Sequence, residues 1–234
     1  MLGQSVFQSG QHSVKLSLYS YLVEVIVTAK KRLSLKPRKI PQQSRAEQTV
    51  ATILEAAARI LETQGLQALN TNLVAQRAGV SVGSLYQYFP GKDALIVALI
   101  QRERSLLLAE AEGALQEPTG RNALRYMIAV AAREQLRRPI LARLLDFEEA
   151  RAPIAKELAP TMAPFVDLMQ RIMTRKDIPP QADTDAAIHD LANIMRAMVD
   201  AANERGETNS KVLEERVERT VFGYLGVVSR THRA

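Results

Sequence analysis

The side chains best placed to do chemistry in this chain crowd into NTNLVAQRAGVSVGSLYQYFPGK, from Asn70 to Lys92. They are the hydroxyls of Thr71, Ser81, Ser84, Tyr86 and Tyr88, the amide of Gln87 and the ammonium of Lys92. No catalytic constellation accompanies them: there is no glycine-rich phosphate loop, no nucleophile elbow and no cysteine, and His12, His189 and His232 lie far apart without metal-ligand spacing. The chemistry these groups suit is non-covalent recognition. Two phenols within three residues are hard to satisfy inside a core, whereas a ring that packs while its hydroxyl meets a phosphate oxygen satisfies both halves of tyrosine. An ammonium at the start of a helix reinforces the attraction of the helix N-terminus for a phosphate.

Positioning such groups needs two short helices and a tight turn. Thr71 reads as an N-cap, with Leu73, Val74 and Ala78 as an apolar stripe behind it. Gly79 follows the last periodic residue, where a left-handed residue is expected, and Val80 then tucks inward. Ser81 caps a second helix starting at Val82. The pattern over residues 70–89 is a helix-turn-helix, whose second helix lies in the major groove of DNA. Its first turn offers Ser81, Val82, Gly83 and Ser84 to the bases: Ser84 can donate or accept at a base edge, Val82 can touch a thymine methyl, and Gly83 permits close approach of the backbone. Gln87 can reach adenine. Thr71, Tyr86, Tyr88 and Lys92 are the expected phosphate grips, with Phe89 more suited to the core.

AGVSVGSLYQYFPGKDAL, preceded by Thr71 and followed by an apolar helix, resembles the DNA-binding signature of TetR-type transcriptional regulators. The resemblance covers about residues 44–99, and the Tyr-x-Tyr-Phe-x-x-Lys tail makes it specific. It implies an all-α chain with an N-terminal three-helix DNA-binding domain and a C-terminal helical bundle. It also implies operator contacts at the positions just named, a homodimer formed through the last two helices as a four-helix bundle, and a small-molecule effector in the C-terminal bundle.

Charge supports a polyanionic partner. The 234 residues carry a net charge of +6, but Lys and Arg outnumber Asp and Glu by 11 to 4 over residues 1–92, against 20 to 21 over the rest. The excess positive charge therefore sits entirely in the part that contains the helix-turn-helix. Apolar residues make up 47% and charged residues 24% of the chain, a globular balance long enough to bury a full core. The absence of cysteine excludes disulfides and thiolate zinc sites and accords with the cytoplasm.

The first 43 residues are the least legible. The apolar run from Leu16 to Val27 is interrupted by Ser17, Ser20 and Glu24 and is too short and polar to span a bilayer; as a signal peptide it is poor, because most of its basic residues follow it and no small-residue cleavage site is evident. Lys30, Lys31, Arg32, Lys36, Arg38 and Lys39 form a basic arm that reads either as a minor-groove or phosphate contact or as a solvated linker. A scaffold helix follows over Ser44 to Thr63, with Val50, Ile53, Leu54, Ala57, Ile60 and Leu61 on one face. A longer helix runs from Lys92 towards Leu115, and the helices of a bundle are expected over Arg121–Arg138, Pro139–Ala150, Glu157–Arg175, Thr184–Glu204 and Ser210–Val228. The expected organisation is an N-terminal extension over 1–43, a DNA-binding domain over 44–104, and a dimerisation and effector domain over 105–230.

A reading surface this small needs two copies on a palindromic operator, hence a twofold dimer. The candidate interface is helices 184–204 and 210–228, where Ala186, Ala187, Ala192, Ala197, Ala201 and Ala202 allow close packing and Val217 and Val221 are candidate contacts. Met127, Leu144, Phe147, Phe165, Met169, Met173, His189 and Met195 are candidate effector-pocket residues, and Arg125, Glu148, Glu149 and Arg151 read as solvated charges or as the pocket's polar groups. No cofactor, metal or membrane is expected. The competing reading is a helical adaptor that uses the same motif for protein contact, which would not need Tyr86, Tyr88 and Lys92 together beside a basic arm.

Overall fold

The computed structural model describes residues 44–226, and over them the chain is all-α. The basic arm and the rest of residues 1–43, and the last residues of the C-terminal stretch beyond 226, lie outside the described residues. Four helices build the N-terminal end: α1 (Ser44–Gln64), α2 (Thr71–Ala78), α3 (Val82–Tyr88) and α4 (Lys92–Ala111). A 3₁₀ turn at Glu112–Gln116 then leads to α5 (Gly120–Arg137), α6 (Pro139–Glu149), α7 (Ala152–Leu158), a 3₁₀ turn at Ala159–Met162, α8 (Ala163–Met173), α9 (Thr184–Glu204) and α10 (Ser210–Tyr224). No described helix is long and apolar enough to cross a membrane.

Helix α4 links the two ends. Every residue from Ala94 to Gln101 is buried, so its first half is covered on all sides. Helices α1–α3 cover part of it, and Leu141, Leu145, Ile154 and Leu158 from α6 and α7 complete the same apolar cluster. The expected division at residue 104 thus falls inside one continuous helix, and residues from beyond it belong to the N-terminal core. A second cluster joins Ala111 at the far end of α4 to α5, α8, α9 and α10.

One departure from the expected elements has a local cause. The helix expected over Glu157–Arg175 is broken into α7, a 3₁₀ turn and α8, because Pro160 and Pro164 each lack the N–H that would continue the ladder. Pro153 occupies the first turn of α7, where its missing donor costs nothing. The start of α5 is pinned from a distance: Asp177 accepts hydrogen bonds from the backbone N–H of Gly120 (2.7 Å) and Arg121 (2.9 Å). Gly120 has no room for a side chain there, since an added Cβ would lie 2.5 Å from Ile178 Cγ1.

An ion-pair network ties α1 to the body. Arg138, between α5 and α6, forks onto Glu62 at 2.7 and 2.6 Å and reaches Glu55 at 3.3 Å. Arg102 of α4 reaches the same Glu55 oxygen at 3.3 Å.

Candidate nucleic-acid interface

The first helix of the motif is capped one residue earlier than its sequence suggests. Asn70, in extended geometry, accepts from Leu73 N–H through Oδ1 at 2.9 Å, so Asn70 and not Thr71 is the N-cap. Asparagine and threonine both cap well, and the extended backbone at Asn70 decides between them. Thr71 becomes the first helical residue, and its hydroxyl is left to pair with the Tyr86 hydroxyl of α3 at 3.0 Å.

Gly79 ends α2 with φ +67° and ψ +28°, and Val80 N–H closes the turn onto Ala75 O at 3.0 Å. Ser81 then caps α3, its Oγ accepting from Ser84 N–H at 3.0 Å and lying 2.8 Å from Ser84 Oγ. The capping bond fixes the first turn of α3, where Ser81, Val82 and Gly83 are exposed and Ser84 is half-buried. On the next turn Tyr86 and Gln87 are exposed. Leu85, Tyr88 and Phe89 point the other way and are buried at 0%, 8% and 0% exposure. One face of α3 is therefore anchored and the opposite face is free.

Two expected phosphate grips sit differently. Tyr88 is a core residue: three positions after Leu85, it follows the same helical face into the N-terminal cluster. Lys92, half-buried, donates from Nζ to Leu66 O at 2.7 Å, so one of its three protons holds the loop between α1 and α2. Sequence could not disclose that partner, a backbone carbonyl 26 residues upstream. The electrostatics still suit a polyanion. Between Glu62 and Asp93 the chain has no acidic residue, while Arg77 and Lys92 are basic. Arg77 is exposed and has no hydrogen-bond or ionic partner among the described residues, and it was missed because a single arginine gives no pattern in sequence.

In the C-terminal half a cavity of about 300 Å³ lies between α4, α5, α6, α8 and α9. Of the expected pocket residues, Met127, Phe165 and Met195 line it. The other five do not. Met169 and Met173 are packed in the core, Leu144 lies against the N-terminal cluster, Phe147 is 66% exposed, and His189 is exposed on the outer face of α9. Helical periodicity identified these residues as apolar or unusual without telling which side of a helix the cavity occupies. Among the charged candidates only Glu149 borders it; Glu148 is buried against Arg151 at 2.6 Å, and Arg125 pairs with Glu218 and lies over Phe222.

Known proteins resemble this chain in sequence and in fold. Residues 53–99, which contain the whole helix-turn-helix, match the profile described as "Bacterial regulatory proteins, tetR family". The HTH-type transcriptional repressor KstR of Rhodococcus jostii is 31% identical over 183 residues, spanning 76% of this chain and 83% of KstR. The chain belongs to the TetR family. Solved structures of similar fold include a TetR-family regulator from Streptomyces coelicolor (TM-score 0.58, 24% identity, 77% of this chain and 99% of that one). FadR from Bacillus subtilis, solved with stearoyl-CoA, has a TM-score of 0.66 at 15% identity and covers 76% of this chain and 99% of its own. As a member of the TetR family the chain is a DNA-binding transcriptional regulator and not an enzyme, and its KstR relative is a repressor.

Proposed function

We propose that the protein represses transcription in the cytoplasm as a twofold homodimer on a palindromic operator and leaves it when a small molecule enters the C-terminal cavity. The observation that carries the reading is α3, anchored by buried Leu85 and Tyr88 while Val82, Gly83, Tyr86 and Gln87 face outward. In this reading Val82, Gly83 and Gln87 read bases, and Ser81 and Ser84 shape the first turn and add hydroxyl contacts. Tyr86 and Thr71, already joined, form one grip on the DNA backbone, and Lys92 holds the loop below them with donors to spare.

The outward stripes of the last two helices support dimerisation. Ala186 and Ala197 on α9, and Val212 and Gly223 on α10, are exposed eleven residues apart, a spacing that returns to nearly the same helical face. Val217 and Val221 are not interface residues; they are buried inside the protomer at 1% and 0% exposure, as are Ala187 and Ala202, and Ala192 lines the cavity. Arg138 offers a route for release, since it borders the cavity and also holds α1 through Glu62. A ligand that moves Arg138 shifts α1 and with it the reading head.

Selection of bound fragments from genomic DNA tests the reading. An inverted repeat bound by two protomers is expected. Enrichment of no sequence, or of single half-sites bound by a monomer, overturns it.

A further inference from the structure

The cavity is polarised along its length. On three of the helices that line it the charged residues gather towards one end, among apolar neighbours that include Ile100 and Val199. On α4 the order is Ala111 and Leu108, then Arg104 and Gln101, a distance of about 15 Å at 1.5 Å per residue. On α5 it is Met127 and Ala131, then Gln135; on α9 it is Ala192 and Met195, then Arg196 and Asp200. The polar end is that nearer the reading head.

At that end two guanidiniums meet three carboxylates. Arg104 and Arg196 both bind Glu149, at 2.7 and 2.8 Å, and Arg196 reaches Asp200 at 3.6 Å. Among the described residues Asp146 makes no ion pair, though Arg196 and Arg104 act on it from farther off, and it shares with Asp200 the amide of Gln135, at 3.2 and 3.1 Å. The remaining charges that border the cavity belong to a network in which Arg138, Arg102, Arg137 and Arg59 pair with Glu62, Glu55, Glu103 and Glu134, four against four. The cluster therefore carries one carboxylate in excess. Burial, reinforced by the Asp146 carboxylate, pushes Asp200 up to about 6, and burial pushes Asp146 up as well.

A second observation points the same way. Gln101, only 5% exposed, lines the cavity, and its Oε1 is buried with no hydrogen-bond partner among the described residues. Left unfilled, such an acceptor is unfavourable. Asp146 and Asp200 thus present the cavity with acceptors and surplus negative charge, and Gln101 lines it with an amide whose oxygen is unpaired. An ammonium supplies three donors and one positive charge.

Resting on the reading of this cavity as the effector site, we propose that its ligand is a small amphipathic amine, with its cationic head at Asp146, Asp200 and Gln101 and its apolar body against Met127, Phe165 and Met195. A carboxylate or acyl-phosphate head would add negative charge beside an existing excess. About 300 Å³ equals roughly ten water volumes, room for one ring and a short chain.

The test compares 4-phenylbutylamine, 4-phenylbutan-1-ol and 4-phenylbutanoate by titration calorimetry on the full-length protein without DNA. The amine is expected to bind at least tenfold more tightly than the alcohol, and the carboxylate more weakly than both. Amine affinity should rise between pH 5 and 7.5, with protons released near pH 6, because the cation favours ionised Asp200. The Asp146→Asn/Asp200→Asn double variant should keep alcohol binding, which reports an intact cavity, and lose the amine preference. The proposal is overturned by no amine binding, by a carboxylate that matches the amine, by pH-independent amine affinity, or by a preference that survives the double variant. Whether the bound amine releases operator DNA is a separate measurement: an amine that binds without releasing DNA refutes the effector role and leaves the ligand class standing.

Discussion

Replacing Arg138 by Met should destabilise the protein and loosen α1 together. The guanidinium makes two short charge-assisted hydrogen bonds to Glu62 and a longer one to Glu55, and the side chains of Arg138 and Glu62 are only 19% and 25% exposed. Hydrogen bonds to charged groups contribute about 1.5–3 kcal/mol each, but Glu62 retains some access to water and methionine preserves most of the apolar stem. Allowing for both, a loss of about 2–3 kcal/mol at pH 7 is expected, or about 4–12 °C in Tm for a chain of this size. Acid supplies an internal control. Hydrogen bonding from Arg138 holds the Glu62 carboxyl below its ordinary value of 4.5, against the opposing effect of burial. Glu55 is also held low: its partial burial is outweighed by Arg59, Arg138 and Arg102. A carboxyl depressed on folding contributes stability that is present above about 4.5 and is lost as pH falls through the folded value. The gap between wild type and Arg138→Met, read from urea unfolding, should therefore narrow as pH drops from 7 towards 3. A gap below about 0.5 kcal/mol at pH 7, or one that does not narrow in acid, would refute the tether.

Three further outcomes are expected. Lys92→Met should weaken binding to all DNA sequences alike and reduce the slope of log K against log salt by about one unit, as measured by anisotropy across a salt series; an unchanged slope would leave Lys92 a loop anchor alone. Val82→Ala and Ser84→Ala should relax sequence preference more than they reduce total affinity, and selection profiles that overlay wild type would remove α3 as the reader. Val212→Glu should give a monomer of unchanged helicity in sedimentation equilibrium, whereas Val217→Glu should lose several kcal/mol of stability by burying a charge in the core; a dimeric Val212→Glu would move the interface elsewhere.

The sequence already contained the reading head. Gly79 in the left-handed region, Ser81 capping α3, and the buried face of α1 follow from local chemistry, which acts over four residues or fewer and leaves its mark in spacing. What sequence withheld was set by contacts between distant segments. Tyr88 and Tyr86 are the same residue two positions apart, and only the packing of α3 sends one inward and leaves the other at 39% exposure. The cavity was legible in part for the same reason. Met127, Phe165 and Met195 share a hydrophobic character with Met169 and Met173, and the crossing of the helices alone separates lining from core. Its polar end was harder still, because Gln101, Arg104, Asp146 and Asp200 come from three helices and read separately as ordinary surface residues.

The Thr71–Tyr86 pair joins local capping to long-range packing. Placing the N-cap at Asn70 and not Thr71 displaces the start of the helix by one residue. Its consequence is larger, because a capping threonine would spend its hydroxyl on the backbone of its own helix. As the first helical residue Thr71 instead meets Tyr86, and the start of α2 is joined to the exposed face of α3 before any DNA is present. Two groups that bind a phosphate from a shared, preset geometry lose less side-chain freedom on binding than two that are set independently. In the proposed reading, the grip is thereby preorganised by the same capping choice that starts the motif.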